Sequence, residues 1–267
     1  MKGFIEEYGK IIVVIILTLL MLGFGQTGLA KPLQNSLLKS TGMITNAHNK
    51  FDEVTKEPEP VTPGAIIDIE ETKYVVLEER GNYQALVMTA SSIEQKAFQS
   101  NYNENTYLRP DGQNANTYEG SDIDNYLENE WYNNLSSTIK AAIQPANIKQ
   151  AAYQSAYSRN SPDSKQETGP NGQVYNTISR HAFLPSVSEI GKVVDLKNWD
   201  KVITFLNGDY IWTRGSFQSI AYRAMLLHAN AGYICPEGVS FMDEVRPAFV
   251  IDLSKVDYKV AGHVDYK

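Results

Sequence analysis

The stretch Arg180-His181-Ala182-Phe183-Leu184-Pro185-Ser186-Val187-Ser188-Glu189-Ile190 decides how the second half of this chain is read. Phe183 and Leu184 mark a buried strand end. Ser186 and Glu189 are spaced as a capping box, so a short helix begins there. Elements of both kinds continue on either side. Upstream, Ser121 caps a helix with Asp122 and Asp124 in its first turn, where the helix dipole favours anions. Ile123, Leu127, Trp131 and Leu135 form its buried stripe. Ile139 to Ile143 continues as a helical piece ended by Pro145, and Asn147 to Tyr157 reads as a strand. Downstream, Tyr210 to Arg214 with Trp212, Ala221 to Leu227 and Val245 to Leu253 read as strands. Helices interleaved with strands in this way predict an α+β domain.

The domain opens at Gly64. Ala65 to Ile69, Tyr74 to Leu77 and Tyr83 to Thr89 are short β-rich runs, and Glu79-Arg80-Gly81-Asn82 predicts the turn of a hairpin. Ala97 to Gly120, rich in Asn, Tyr, Gly and Ser, predicts a long polar loop, and Asn160 to Gly172 a second one. The tail repeats Val-Asp-Tyr-Lys at Val256 and Val264.

Ahead of the domain, Ile11 to Ala30 carries no charge and lies between Lys10 and Lys31. A helix of that length spans roughly 30 Å, the thickness of a bilayer core. The run predicts a long N-terminal transmembrane helix with the C-terminal domain extracellular, a single-pass protein of the cell membrane. Two other readings stay open. One is a cleaved secretory signal ending at the small residues Gly28 and Ala30. The other comes from Gly3-Phe4-Ile5-Glu6-Glu7-Tyr8-Gly9, which resembles the start of type IV pilins of the tight-adherence subgroup. That resemblance implies cleavage at Gly3, a Glu7-Tyr8 pair and self-association through the helix. Leu33, Leu37, Ile44 and Phe51 recur at helical spacing. Lys56 to Pro63, with three prolines among charges, predicts a stiff spacer. The expected organisation is a membrane anchor at 1–31, a stalk and linker at 32–63, the α+β domain at 64–254 and a tail at 255–267.

Composition excludes some functions. The net charge is −7 and falls on the C-terminal domain, which argues against nucleic acid as a partner. The single cysteine, Cys235, allows no internal disulfide and no multi-cysteine metal site. Cys235 with His228 or His181 as base has no further motif behind it, and a lone cysteine reads as a small buried hydrophobe. The histidines His48, His181, His228 and His263 show no metal-ligand spacing. Asp111, Asn114 and Asn116, or Asp122 and Asp124, are the candidate oxygens for calcium, without EF-hand spacing. No cofactor and no catalytic residue is expected.

The order of the motifs resembles a family of bacterial surface domains. The Ser121-x-Ile123 helix is followed by Phe183-Leu184-x-Ser186-x-x-Glu189, then Trp212-Thr213-Arg214-Gly215-Ser216, then Val245-Arg246-Pro247-Ala248-Phe249. In that family, common in Gram-positive gut bacteria, the hallmarks are Trp-Leu-Arg-Ser-Pro and Gly-Val-Arg-Pro-Ala. Here Thr213 replaces Leu, Gly215-Ser216 replaces Ser-Pro and Glu244 replaces Gly. The family is similar to formylglycine-generating enzymes and C-type lectins, which implies a C-type-lectin-like mixed domain. The paired cysteines of the former and the Trp-Asn-Asp order of the latter are absent. Trp212, Arg214, Arg246 and Pro247 read as structural, with the arginines as ion-pair partners that tie loops down. The resemblance further implies a ligand face between Trp212 and Val245, with Phe217, Gln218, Tyr222, Arg223, His228, Asn230, Tyr233 and Asp243 as candidates. Loops rich in Tyr and Asn suit such a face, because rigid aromatics give contact area at low entropy cost. The expected function is a membrane-tethered surface adhesion module for a glycan or protein ligand. A pilin-like filament subunit is the alternative, and a cell-wall-acting enzyme the second alternative.

Overall fold

A computed structural model describes residues 60–154, 165–230, 233–264 and 266–267 of the chain. The four consecutive apolar residues Tyr74, Val75, Val76 and Leu77 lie in the middle of a sheet buried on both faces. Tyr74 and Val76 point into one hydrophobic cluster, Val75 and Leu77 into another. The alternation of strand side chains thus divides one run between two cores.

This first sheet has the order β15-β1-β2-β3-β14-β5. Its strands are β1 (Ala65–Ile69), β2 (Thr72–Gly81), β3 (Gln84–Thr89), β5 (Ile143–Gln144), β14 (Ala248–Asp252) and β15 (Lys259–His263). A second sheet has the order β12-β11-β10-β13-β4. It comprises β4 (Glu94–Ala97), β10 (Ile211–Phe217), β11 (Arg223–His228), β12 (Tyr233–Gly238) and β13 (Met242–Val245), with β7 (Ala152–Tyr153) and β8 (Lys165–Gln166) alongside β10. β6 (Ala146–Lys149) and β9 (Thr177–Arg180) pair separately. The helices are α1 (Asp122–Tyr126), a π-helical turn at Leu127–Trp131, α2 (Tyr132–Asn134), α3 (Ser137–Ala142), α4 (Val187–Ile190) and α5 (Trp199–Leu206). The larger core is closed by the second sheet, α1, α4 and α5. The smaller one is closed by α3.

The expected transmembrane helix ahead of the domain is corrected to a mixed α+β domain. No helix among the described residues is long and apolar enough to cross a membrane. The longest helical stretch, 122–134, carries Asp122, Asp124, Glu128 and Glu130 and has neither the length nor the apolarity. With that finding the single-pass anchor, the membrane as partner, the membrane localisation with an extracellular domain and the membrane-tethered function are corrected as well. Ile11–Ala30, Gly3, Glu7, His48 and the stalk lie outside the described residues.

Several local expectations shift. The turn between β2 and β3 lies at Asn82 and Tyr83 rather than Glu79–Asn82, because β2 continues to Gly81. The stripe Ile123-Leu127-Trp131-Leu135 is disrupted by the π-helical turn. Ile123 and Leu127 are buried, whereas Trp131 and Leu135 are only partly covered. The polar stretch 98–120 forms no regular element, yet much of it is interior. Phe98, Asn114, Ala115, Asn116, Thr117 and Tyr118 are all buried. Arg246-Pro247 divides the closing strand into β13 and β14. The two Val-Asp-Tyr-Lys copies act as anchors on either side of β15. Val256 and Tyr258 pack on the smaller core, Val264 and Tyr266 on the larger.

Candidate functional site

Capping and topology position the interior charges first. Ser186 accepts from the Glu189 amide and the Glu189 carboxylate accepts from the Ser186 amide, completing the capping box of α4. The same carboxylate receives Arg214 of β10 in a bidentate pair, at 2.6 Å and 2.7 Å. Arg214 also donates to the carbonyls of Leu184 and Lys149. Burial alone would raise the Glu189 pKa, but the charge and hydrogen bonds of Arg214 outweigh it and hold the carboxyl below its usual value. Arg246 donates to Asp209 at 2.6 Å and to the Phe205 and Leu206 carbonyls at the end of α5, where the helix dipole favours a cation. Trp212 is fully buried, donates Nε1–H to the Lys96 carbonyl and meets Phe98 edge-on. The carbonyl of buried Pro247 receives the Thr89 amide. A Cβ on Gly215 would come 2.9 Å from the Tyr153 ring, so only glycine fits between β10 and that ring.

The eight candidate ligand residues distribute along β11 and its neighbours. Phe217 ends β10 and is buried. Gln218 follows it and donates to the Thr168 carbonyl. Tyr222 and Arg223 stand at the start of β11, His228 at its end, and Tyr233 directly opposite His228 on β12. Asn230 is exposed in the turn between them, and Asp243 lies on β13. Two groups result. In one, the Tyr222 ring lies 4.4 Å from that of Tyr107, and the Arg223 guanidinium carbon lies 5.7 Å from the same Tyr222 ring. In the other, His228 lies 4.4 Å from Tyr210 and 6.0 Å from Tyr233, which continues to Trp199 at 6.1 Å.

Asn116 holds the first group in place. Its Nδ2 donates toward the carbonyls of Phe217, Ile220 and Arg223, and its backbone amide donates to Ala221. The Val239 amide bonds the Tyr222 carbonyl from the β12 side. The segment 217–223 is therefore fixed from beneath by one buried amide and from the side by a neighbouring strand. Tyr107, by contrast, adopts φ +58°, a conformation disfavoured for a bulky residue.

The remaining chemistry is largely committed elsewhere. Cys235 is buried opposite Leu226, and burial together with Glu237 and Asp243 pushes its thiol up to about 12, so it stays protonated and unreactive at neutral pH. Asp243 is pushed up to about 6 by burial and by its neighbours Glu237 and Glu244. His181 Nδ1 meets Glu128 at 2.8 Å beneath the stacked Tyr132 ring. Among the candidate calcium oxygens, Asp111 pairs with Arg109, Asp124 with Arg180, and Asp122 accepts from Ser100. Among the described residues no group of three His, Cys, Asp or Glu is placed to hold a metal.

Sequence reading missed Tyr107, Tyr210, Trp199 and the clamping role of Asn116. Tyr107 lies more than a hundred residues from Tyr222, and no local pattern joins the two. It also missed an open groove of about 450 Å³ beside β4 and α1, lined by Lys96, Ser100, Asp122, Tyr126, Glu130 and Met242 among others.

A family described as a domain of unknown function (DUF6273) matches residues 82–253, which spans α1, the whole second sheet and both arginine anchors. No curated protein and no solved structure matches the chain.

Proposed function

Because the chain belongs to the DUF6273 family, we propose that its α+β domain is a non-catalytic binding module, with its contact surface on β11, β12 and the loops at their ends. The observation that carries this reading is where polar groups are left unpaired. Among the described residues six buried side-chain polar atoms lack a partner, and three belong to Arg223, His228 and Asp243. An unpaired buried polar atom costs about 1–3 kcal/mol, so a native chain keeps few of them. The interior arginines Arg214 and Arg246, which hold the scaffold together, are fully bonded. The other three belong to Thr89, Asn116 and Thr117, of which Asn116 and Thr117 lie in the segment that supports residues 217–223. The C-type-lectin-like character of the domain belongs to the same proposal.

The test is retention of the purified full chain on arrays of glycans and of proteins, with a Tyr222→Ala/Tyr233→Ala variant beside it. Retention by the parent chain and loss in the variant supports the reading. No retention, or equal retention by both chains, overturns it.

A second reading, a filament subunit, draws support from β15. All five of its residues are exposed, and among the described residues it forms one of the two edges of the first sheet. Unpaired sheet edges recruit further strands. Concentration-dependent assembly abolished by a Val260→Pro substitution on that edge supports it; a monomer at every concentration overturns it.

A further inference from the structure

Six arginines lie among the described residues, and five of them reach a carboxylate: Arg80 with Glu78, Arg109 with Asp111, Arg180 with Asp124, Arg214 with Glu189 and Arg246 with Asp209. Arg223 is the exception among them. Its contacts are the Tyr222 ring, 5.7 Å from its guanidinium carbon, and the backbone bonds that fix its main chain to Ile220 and Asn116. The Nε atom is fully covered and unbonded, whereas Nη1 and Nη2 are not among the buried unpaired atoms. The stem of the side chain is therefore enclosed and its terminal fork faces outward without a protein acceptor. In a chain of net charge −7, an arginine left without an acid is conspicuous.

We propose that the Arg223 fork, held beside the tilted ring pair Tyr107–Tyr222, receives an oxyanion of the ligand, either a carboxylate or a phosphate or sulfate ester. The inference rests on the binding-module reading above and gives that surface a chemical class of ligand. Guanidinium presents parallel N–H donors that match the two oxygens of such groups, and charge-assisted bonds of this kind are roughly twice as strong as neutral ones. Preorganisation adds to this. The Arg223 main chain is tied at both its N–H and its carbonyl, and Val239 ties Tyr222, so little freedom is lost on binding. Tyr107 is 37 % exposed and sits at φ +58°. Its ring is held against that of Tyr222 at a conformational cost, an arrangement found where a site over-determines the backbone. Glu237 on β12 and Asp243 on β13 both act on Cys235, as Arg223 does. Their negative charge disfavours anions in general, so the fork accepts an oxyanion by directed hydrogen bonds rather than by bulk attraction.

The experiment follows the arginine Nε–Hε signals of the full chain by NMR during titration with sodium phosphate, sodium sulfate or sodium acetate. Sodium chloride at equal ionic strength is the control. The Arg223 signal is assigned by its absence in Arg223→Gln. The expected result is a shift of that signal saturating at roughly 1 mM, the range of a single exposed charge-assisted contact, with the Arg214 and Arg246 signals unmoved. Arg223→Lys, which keeps the charge and loses the fork, weakens binding by about tenfold. Saturation with acetate alone identifies a carboxylate, and with phosphate or sulfate an ester. No saturable shift, or the same shift with chloride, overturns the inference. The two readings fail separately. A retained array ligand whose binding is unchanged in Arg223→Gln removes the anion site and leaves the module, whereas saturable anion binding without any array retention does the reverse.

Discussion

Asp243 carries a carboxylate oxygen that is buried without a partner, next to Glu237 and Glu244. Its pKa is raised from 3.8 to about 6, so between those values the folded chain holds a proton that the unfolded chain has released. Its contribution to stability is full below the lower value and is lost as pH rises through the upper one. Because the group is only partly covered, the loss is about 1 kcal/mol rather than the full linkage value. Asp243→Asn is expected to raise the melting temperature at pH 7.5 and leave it unchanged at pH 4, as thermal melts at the two pH values will show. Glu189 has the opposite character. Breaking its buried pair with Arg214 by Glu189→Gln is expected to cost about 3–5 kcal/mol, measurable by denaturant unfolding. Half of the role of Glu189 was legible in the sequence, because a capping box is a local pattern confined to Ser186–Glu189. The other half was not, since the partner lies 25 residues away and nothing in the spacing connects them.

At the level of elements, two hairpins share an unusual turn. Glu70 and Glu71 have φ of 49° and 66°, and Asn82 and Tyr83 have 50° and 61°. Both φ values positive define the type I′ turn, which favours Asn and Gly. Glutamate and tyrosine in the left-handed region each cost roughly 1 kcal/mol. Glu70→Asn with Glu71→Gly is expected to stabilise the domain by about 1 kcal/mol, read as a higher midpoint with an unchanged slope in urea. The strands themselves were readable where apolar runs were continuous, as in β1. The second turn was misplaced because Glu79-Arg80-Gly81 is polar only on account of its position near the end of a hairpin. The helix stripe failed for another reason. A π-helical turn adds a residue to one helical repeat, and four-residue spacing no longer marks one face.

At the scale of the molecule, the described α+β domain is closed by residues 259–264 and 266–267. β15 pairs with β1, and the Tyr266 carbonyl accepts the Asp195 amide beyond it. A chain ending at Tyr258 leaves β1 as an open edge and removes Val264 and Tyr266 from the larger core. It is expected to lose about 2–4 kcal/mol, seen as a fall in melting temperature of roughly 2–4 °C per kcal/mol. The repeat in the sequence signalled nothing of this, because two copies of four residues carry no periodicity. The polar stretch 98–120 was equally opaque. Composition assigns Asn and Thr to the surface, and only tertiary structure reveals that the side-chain N–H groups of Asn114 and Asn116 donate to backbone carbonyls inside, with the Asn116 Oδ1 left unpaired. The candidate residues were named as one sequence segment, and their division into two groups depends on that interior.

One nitrogen atom of Asn116 faces three main-chain oxygens. Hydrolysis of that amide to aspartate changes no volume and opens no void. It sets a negative oxygen against three others in place of a donor. That leaves an unpaired charge in the interior beneath residues 217–223, so an aged preparation would lose its thermal stability and its affinity together.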